Sequence, residues 1–510
     1  MDNKPNFLFF ITDQHRADHL GCYGNPVVKT PNIDGLAARG TRFDRFYTAT
    51  PICMPNRATL MTGRMPSLHG ARHNGIPLSM NATTFVDIMG AAGYDTALIG
   101  KCHLQSISGS LPTFGMPEPD PNKVQPPERL READRSWLTH GRYDQELRST
   151  WRDDADFELT LPYYGFSHVE LAVGHGDAVV GHYERWLNAR HGDAESLRGR
   201  KNQLAGNDYV APQAWRTRVP EELYPTSYVA ERTIAYLEQH ALAGAKPFFI
   251  QCSFPDPHHP FTPPGKYWDM YDPREVNLPP SYNTGEHPLP PHLQQLYIER
   301  EQGKANRDGQ RTIAVTEREA REAIALTYGM ITMIDDAVGR ILQRLGALGL
   351  SENTVVIFNA DHGDFMGDHQ LLLKGALHYQ ALVRVPFIWR DPAAKNHGLV
   401  NTGLCGPSIW RARSSIAPIS KAITACKALV YYRLRTETKP ATIRWSSKNT
   451  SGAAIWALRI TFAPGHCSPK ITGSRCMKEW IGASCTTSRT IHWKPEISGT
   501  SQAQRTRAMN

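Results

Sequence analysis

The sequence predicts an α/β fold organised on buried parallel strands, and three observations support it. Residues 6–12 (N-F-L-F-F-I-T), 246–254 (K-P-F-F-I-Q-C-S-F) and 354–358 (T-V-V-I-F) are short apolar runs without polar alternation, as in strands covered on both faces. Each run gives way to polar chemistry: Asp13-Gln14 after the first, Asp256-Pro257-His258-His259 after the second, Asp361-His362 after the third. Polar residues at the carboxyl ends of such strands lie where open α/β sheets bind ligands. Residues 323–348 repeat apolar positions at helical spacing and read as a long core helix.

In chain order, Asp13 reads as a strand-end ligand or a solvated loop acid, and 31–40 (P-N-I-D-G-L-A-A-R-G) as a helix with a glycine stop. Residues 51–63 (P-I-C-M-P-N-R-A-T-L-M-T-G) hold the most specific pattern, C-x-P-x-R at Cys53, Pro55 and Arg57. By residue type alone Cys53 is a small buried hydrophobe. A helix entered at Pro55 changes that reading, because Arg57 then lies one turn along the same face and can hold an anionic group beside the sulfur. Residues 91–103 give a glycine turn, a strand, and then Lys101 and His103. They are no phosphate loop, since six residues separate Gly93 from Gly100 and no Ser or Thr follows the lysine. About 106–222 is rich in Pro, Arg and Asp and reads as a long insertion on the sheet, in which 174–177 (G-H-G-D) and His182 are pocket candidates. His258 and His259 sit between prolines, which limits their freedom and suits positioned acids or ligands. The Asp335-Asp336 pair reads as the polar face of the long helix. Asp361 and His362 leave their strand as Asp13 and Gln14 leave theirs, so two distant strands can bring oxygen and nitrogen ligands to one ion.

The 53–57 motif followed by Thr62-Gly63 resembles the maturation signature of the type I sulfatases, in which the cysteine becomes formylglycine. G-K-x-H at 100–103 resembles their second signature, and four ordered motifs extend the resemblance over 6–406. It implies the alkaline-phosphatase and sulfatase fold, a mixed, mostly parallel sheet between helices, and metal-dependent hydrolysis of a small-molecule sulfate ester. The catalytic residues it implies are Cys53, Arg57, Lys101, His103, His258 and Lys374. The metal ligands it implies are Asp13, Gln14, Cys53, Asp361 and His362, around one divalent ion, calcium or alternatively manganese. Maturation would need a formylglycine-generating enzyme as partner. In the implied mechanism a hydroxyl of the hydrated aldehyde attacks sulfur, and His258 and Lys374 assist departure of the alcohol. A base such as His103 then expels sulfate, while Arg57 and Lys101 hold the hydrate. Gln14 replaces a frequent acid and His362 a frequent asparagine, a pattern that also looks like the phosphonate monoester hydrolases. A phosphonate monoester or phosphodiester hydrolase is therefore the alternative, and a non-catalytic metal-binding or misfolded product a third reading.

Composition alone misleads. The net charge of +8 suggests a polyanion partner, but 407–510 holds 17 Lys+Arg, three Glu and no Asp, leaving 40 basic and 46 acidic residues before it. The body is thus acidic, and no nucleic-acid partner is expected. Nine cysteines without C-x-x-C argue against a disulfide framework. The polar N-terminus and the lack of any apolar run near 20 residues point to no membrane span and a cytoplasmic protein. The expected organisation is a catalytic domain over 1–406 and an aberrant, poorly ordered tail over 407–510, without sustained periodicity and lacking the family's usual C-terminal subdomain. A frameshift accounts for such a tail. Back-translated and shifted, 407–417 permits I-D-L-A-R-T-F-L-D-R, and 476–487 permits Y/H-E-G-M-D-W-G-E-L-Y-D-L, which resembles the family's closing G-x-L-Y-D-L.

Overall fold

The computed structural model describes residues 4–107, 141–206, 208–244, 246–283 and 290–407, together with the backbone of 442–450 and 453–461. The described strands are β1 (Asn6–Thr12), β2 (Thr41–Phe43), β3 (Asp95–Gly100), β4 (His168–Val173), β5 (Val180–Gly181), β6 (Phe248–Phe254), β7 (Ile313–Ala314), β8 (Thr354–Ala360), β9 (Leu371–Leu372), β10 (Phe387–Arg390), β11 (Leu399–Asn401), β12 (Thr442–Thr450) and β13 (Ala453–Thr461). The helices are α1 (Pro31–Ala38), α2 (Cys53–Thr62), α3 (Pro66–His69), α4 (Phe85–Ala91), α5 (Arg148–Asp153), α6 (His182–His191), α7 (Pro225–Ala243), α8 (Pro291–Glu301), α9 (Glu317–Ala347) and α10 (Gln380–Val383).

Nine strands form one sheet in the order β11-β2-β10-β8-β1-β6-β3-β4-β5. The centre, from β8 to β4, is parallel, whereas β10 runs antiparallel to both its neighbours and β5 antiparallel to β4. This is the mixed, mostly parallel sheet expected. Every residue of β1, β6 and β8 is buried, which is why these runs carry no polar alternation. One core joins Leu8 and Phe10 of β1 to Ile331 and Ile334 of α9, and full burial of each such side chain stabilises the fold by about 1.5–3 kcal/mol. The stretch read as an insertion supplies β4 and β5 to this sheet, and its residues 108–140 lie outside the described set.

Register brings the strand ends level. Thr12 lies opposite Phe254 on one side and Ala360 on the other, and Gly100 opposite Ser253. The residues that follow all four strands therefore emerge together. Gly100 has φ +108°, and a Cβ there would come within 1.9 Å of Ser253 O, so only glycine lets β3 turn into Lys101 at this spacing.

Two expectations need correcting. The long helix begins at Glu317, six residues before its apolar pattern, because Thr316 and Glu319 form a capping box: Glu319 Oε2 accepts from Thr316 N at 2.7 Å. Asp335 does not belong to a solvated face. It is fully buried and accepts from the backbone N–H of Ile33 at 2.8 Å and of Asn32 at 3.1 Å, satisfying the start of α1 from another helix. Burial raises its pKa to about 6 against those bonds.

The chain divides into two compact units, 1–426 and 427–510. In the second, β12 and β13 pair antiparallel with Thr442 opposite Thr461, a strand pair where the composition gave no period. The remaining expectations for 408–510 fall outside the described residues.

Candidate active site

The site is built where β8, β1, β6 and β3 end side by side. Asp13 follows β1 and is fully buried; its Oδ2 pairs with Lys101 Nζ, while Oδ1 has no hydrogen-bond partner. Asp361 follows β8. Its Oδ1 accepts from the backbone N–H of Gln14 (3.1 Å) and His362 (2.8 Å), and its Oδ2 from Arg57 Nε at 2.7 Å. His362 donates from Nδ1 to Gly363 O at 2.8 Å, which turns Nε2 toward Cys53 Sγ at 3.2 Å and Asp13 Oδ1 at 3.4 Å.

Cys53 is the first residue of α2, all ten of whose residues are buried. A helix N-terminus favours negative charge on the sulfur. Arg57, one turn on, ties the floor of the site together: besides Asp361, its Nη1 donates to Lys101 O and Ser253 Oγ, each at 3.0 Å, and its Nη2 makes no hydrogen bond but stands 3.9 Å from Asp13 Oδ2. Gly63 stops the helix in the left-handed region at φ +65°.

The opposite wall is basic. Lys374 Nζ donates to His258 Nε2 (2.6 Å), Gln14 Oε1 (2.7 Å) and Cys53 Sγ (3.1 Å). Gln14, at φ +62°, also directs its Nε2 to Asp364 and to His259 Nδ1. The His258 ring stacks between His175, 3.5 Å away by centroids, and His259, 4.0 Å away. His175 Nε2 meets Lys101 Nζ, and the His103 ring lies 6.4 Å from that of His175 with its own Nδ1 unpartnered.

Electrostatics follow from burial with unequal charge. Burial acts to raise the Asp13 carboxyl, but Lys101, His258 and Lys374 bring it well below its ordinary value. Burial and Asp13 likewise oppose ionisation of the Cys53 thiol, yet Lys374, His362 and Lys101 lower its pKa overall. His362 behaves oppositely to the other imidazoles. Burial and Lys374 disfavour its proton, but Asp361, Cys53 and Asp13 outweigh them and raise its pKa to about 10. His103, His258 and His259 are held well below their ordinary values by burial and neighbouring cations.

These facts fit a cation. One ligand atom each from Asp13, Cys53, Asp361 and His362 lies within 4.8 Å of the others, all buried. The unpartnered Asp13 Oδ1 faces into that group, and a proton on His362 supplies the positive charge the acids require. Gln14, the fifth expected ligand, gives its Oε1 to Lys374 Nζ, which also donates to Cys53 Sγ.

The structure thus brings together all ten residues singled out, Asp13, Gln14, Cys53, Arg57, Lys101, His103, His258, Asp361, His362 and Lys374. Of the pocket candidates, His175 joins them. His182 does not: its Nδ1 accepts from Leu171 N at 2.9 Å, and Trp151 packs on its ring. Asp177 is also structural, accepting on Oδ2 from Trp215, Thr217 and Gly199. His259 lies with them as well, its Nδ1 3.0 Å from Gln14 Nε2 and its ring 4.0 Å from that of His258. Sequence reasoning missed Asp364 and Ser253, although Asp364 stands in the same D-H-G-D run as Asp361.

A family model described as Sulfatase matches residues 5–130 and 174–418. The chain is 30% identical over 391 residues to an arylsulfatase of Clostridium perfringens, covering 76% of this chain and 69% of that protein. It is 26% identical over 392 residues to a choline-sulfatase of Rhizobium meliloti, covering 76% of this chain and 63% of that one. Among solved structures, a phosphonate monoester hydrolase of Agrobacterium radiobacter superposes with a TM-score of 0.61 at 21% identity, over 90% of this chain and 87% of the other. The yidJ sulfatase of Bacteroides fragilis gives 0.54 at 20% identity, over 90% and 84%. Among the described residues no helix is long and apolar enough to cross a membrane. With its motifs gathered at the carboxyl ends of the central strands and most of its length matched, the chain belongs to the sulfatase family of ester hydrolases.

Proposed function

We propose that the chain hydrolyses small-molecule sulfate esters with a formylglycine made from Cys53 and one divalent metal ion. The observation that carries this reading is the convergence of Asp13, Cys53, Asp361 and His362 beside two buried lysines. Asp13, Asp361, His362 and the residue-53 side chain would hold the ion, with Gln14 Oε1 as a further oxygen donor. Calcium suits the oxygens, and manganese is the alternative that the imidazole nitrogen favours. The ion would supply Lewis acidity, and the aldehyde hydrate a nucleophilic hydroxyl with a route back to the aldehyde.

The chain's own residues do the rest. Lys101 and Lys374 offer ammonium donors on two sides of residue 53 and can screen the anionic ester. His258 and Lys374 share a hydrogen bond, so a proton for the departing alcohol is available at either Nε2 or Nζ. His103, with a free Nδ1 and a depressed pKa, is suited to take the proton whose removal releases sulfate. Arg57 keeps Asp361 in place.

A second reading, phosphonate monoester or phosphodiester hydrolysis, is favoured by Gln14 and His362, neither of them an acid, which leave a less negative site for a substrate of different charge. Paired assays of an aryl sulfate and an aryl phosphonate ester on purified enzyme rank the two, and turnover of neither sinks both. Mass spectrometry of the Cys53 peptide tests maturation: an unmodified thiol in active enzyme contradicts the formylglycine reading, and an unmodified thiol in inert protein favours a non-catalytic metal-binding product. A formylglycine-generating enzyme would be the maturation partner.

For the tail, the proposal remains a frameshift near the Gly406 codon. The asymmetric charge of 407–510 supports it. Resequencing the gene there decides it, and an undisturbed frame ends the proposal.

A further inference from the structure

Glu146 has no part in the chemistry above and is nonetheless wired to it. It is 1% exposed. Its Oε2 accepts from the backbone N–H of His103 at 2.6 Å, and its Oε1 from those of Leu104 (2.9 Å) and Gln105 (3.0 Å) and from the Tyr163 hydroxyl (2.9 Å). Three successive amides aimed at one carboxylate form a concave anion seat, filled here by the chain's own side chain. The turn they make is not one His103 adopts by preference: its φ is +58°, in the left-handed region that β-carbon-bearing residues avoid. The two segments are laced in the other direction as well, Gln145 N donating to Gln105 Oε1 and Gln105 Nε2 to Arg142 O, each at 3.0 Å. On the far side Lys101 is pinned through its own backbone, N to Ser253 O at 2.9 Å and O to Arg57 Nη1 at 3.0 Å. Between that anchor and the carboxylate only Cys102 and His103 remain to set where the His103 ring points.

We propose that Glu146 is a positioning residue for the sulfatase reaction, its carboxylate fixing the turn at residues 103–105 so that the His103 ring faces the site and Lys101 stays against Asp13. This rests on the role given to His103 above. A stretch that reads as an insertion on the sheet thereby sets the geometry of catalysis without touching substrate.

The test is Glu146→Gln in the full chain, assayed as the matured, metal-loaded enzyme. The amide keeps one acceptor, but its NH2 meets backbone donors it cannot pair with. Misplacement of His103 by about 1 Å predicts a fall in kcat of about 100-fold. KM, metal content and the aldehyde fraction at residue 53 stay near wild type, and the limb of the kcat pH profile that reports the base shifts. Tyr163→Phe removes one bond to the same carboxylate and leaves the turn's amides alone; it should lower kcat several-fold in the same direction. A merely structural role lowers yield and Tm but leaves kcat per folded, metal-loaded molecule and the pH profile unchanged, and that result in Glu146→Gln overturns the proposal. Should Glu146→Gln not fold, unchanged kcat in Tyr163→Phe overturns it instead. Wild type inert on both aryl sulfate and aryl phosphonate ester defeats the functional reading and this inference with it, whereas active wild type with an unimpaired Glu146→Gln defeats the positioning role alone.

Discussion

The strand ends of β1 and β8 differ in kind from those of β6, β3 and β4, although all five lie in adjacent positions of one sheet. The first pair delivers Asp13 and Asp361, with Gln14 and His362 beside them; the second group delivers His258, His259, Lys101, His103 and His175. One side is anionic and calls for a cation, and the other is cationic or proton-bearing and calls for an anion. Cys53 sits on the seam, with His362 Nε2 at 3.2 Å on the acid side and Lys374 Nζ at 3.1 Å on the basic side. Under the proposed function, a tetrahedral anion over residue 53 would lie between unlike walls, one suited to a metal and the other to the leaving alcohol.

The largest way to break this division is at the acid side. Asp361→Ala should abolish metal binding and turnover while sparing most of the fold, with loss of the buried 2.7 Å carboxylate partner of Arg57 as the main stability loss. Metal analysis and turnover on an aryl sulfate check it, and full activity refutes the site. On the basic side His258→Ala should keep the metal but lose about 10²–10⁴-fold in rate. The loss should be greater for substrates with poor leaving groups, and an equal loss across a series of aryl esters argues against a leaving-group role.

pH sharpens the contrast, because His362 has linkage opposite to that of the other buried imidazoles. His362, raised to about 10 without metal, contributes stability that is complete below its ordinary 6.5 and lost as pH rises through 10. Metal must displace that proton, so affinity should climb with pH up to about 10, which titration calorimetry at several pH values measures. His175, on the basic side, is held to about 3 by burial and Lys101, and burial likewise lowers His15 and His69 to about 4 and His19 to about 3. Their contribution is present above 6.5 and lost as pH falls toward those values. Denaturant unfolding across pH should therefore show an acid limb that metal does not remove, and a smaller alkaline limb that it does.

The acid side was the more legible half. Two apolar runs ending in Asp13-Gln14 and Asp361-His362 announce each other, because residue type and strand position suffice for a metal ligand. Lys101, His103 and Lys374 were assigned only through the motif resemblance, which also picked His258 over His259. His175 could be named as a pocket candidate but not placed, since H-V-E-L-A-V looks like surface until β4 is seen paired to β3. The start of α9 was lost for a local reason: T-E-R-E is polar, and the capping box that begins the helix precedes its first apolar stripe. Asp335 could not be read at all. Its partners on α1 lie some 300 residues away, and nothing in a helical Asp-Asp pair tells solvent from a distant helix start.

The burial of Cys53 also has a consequence in time. The sulfur is closed over by Lys374 and His362, which are synthesised more than 300 residues after it. The formylglycine-generating enzyme proposed above would have a window to reach this side chain that opens when residue 53 emerges from the ribosome and shuts when β8 slots in beside β1. Conditions that hasten folding should then lower the fraction of chains carrying the aldehyde, and slow passage through residues 354–374 should raise it.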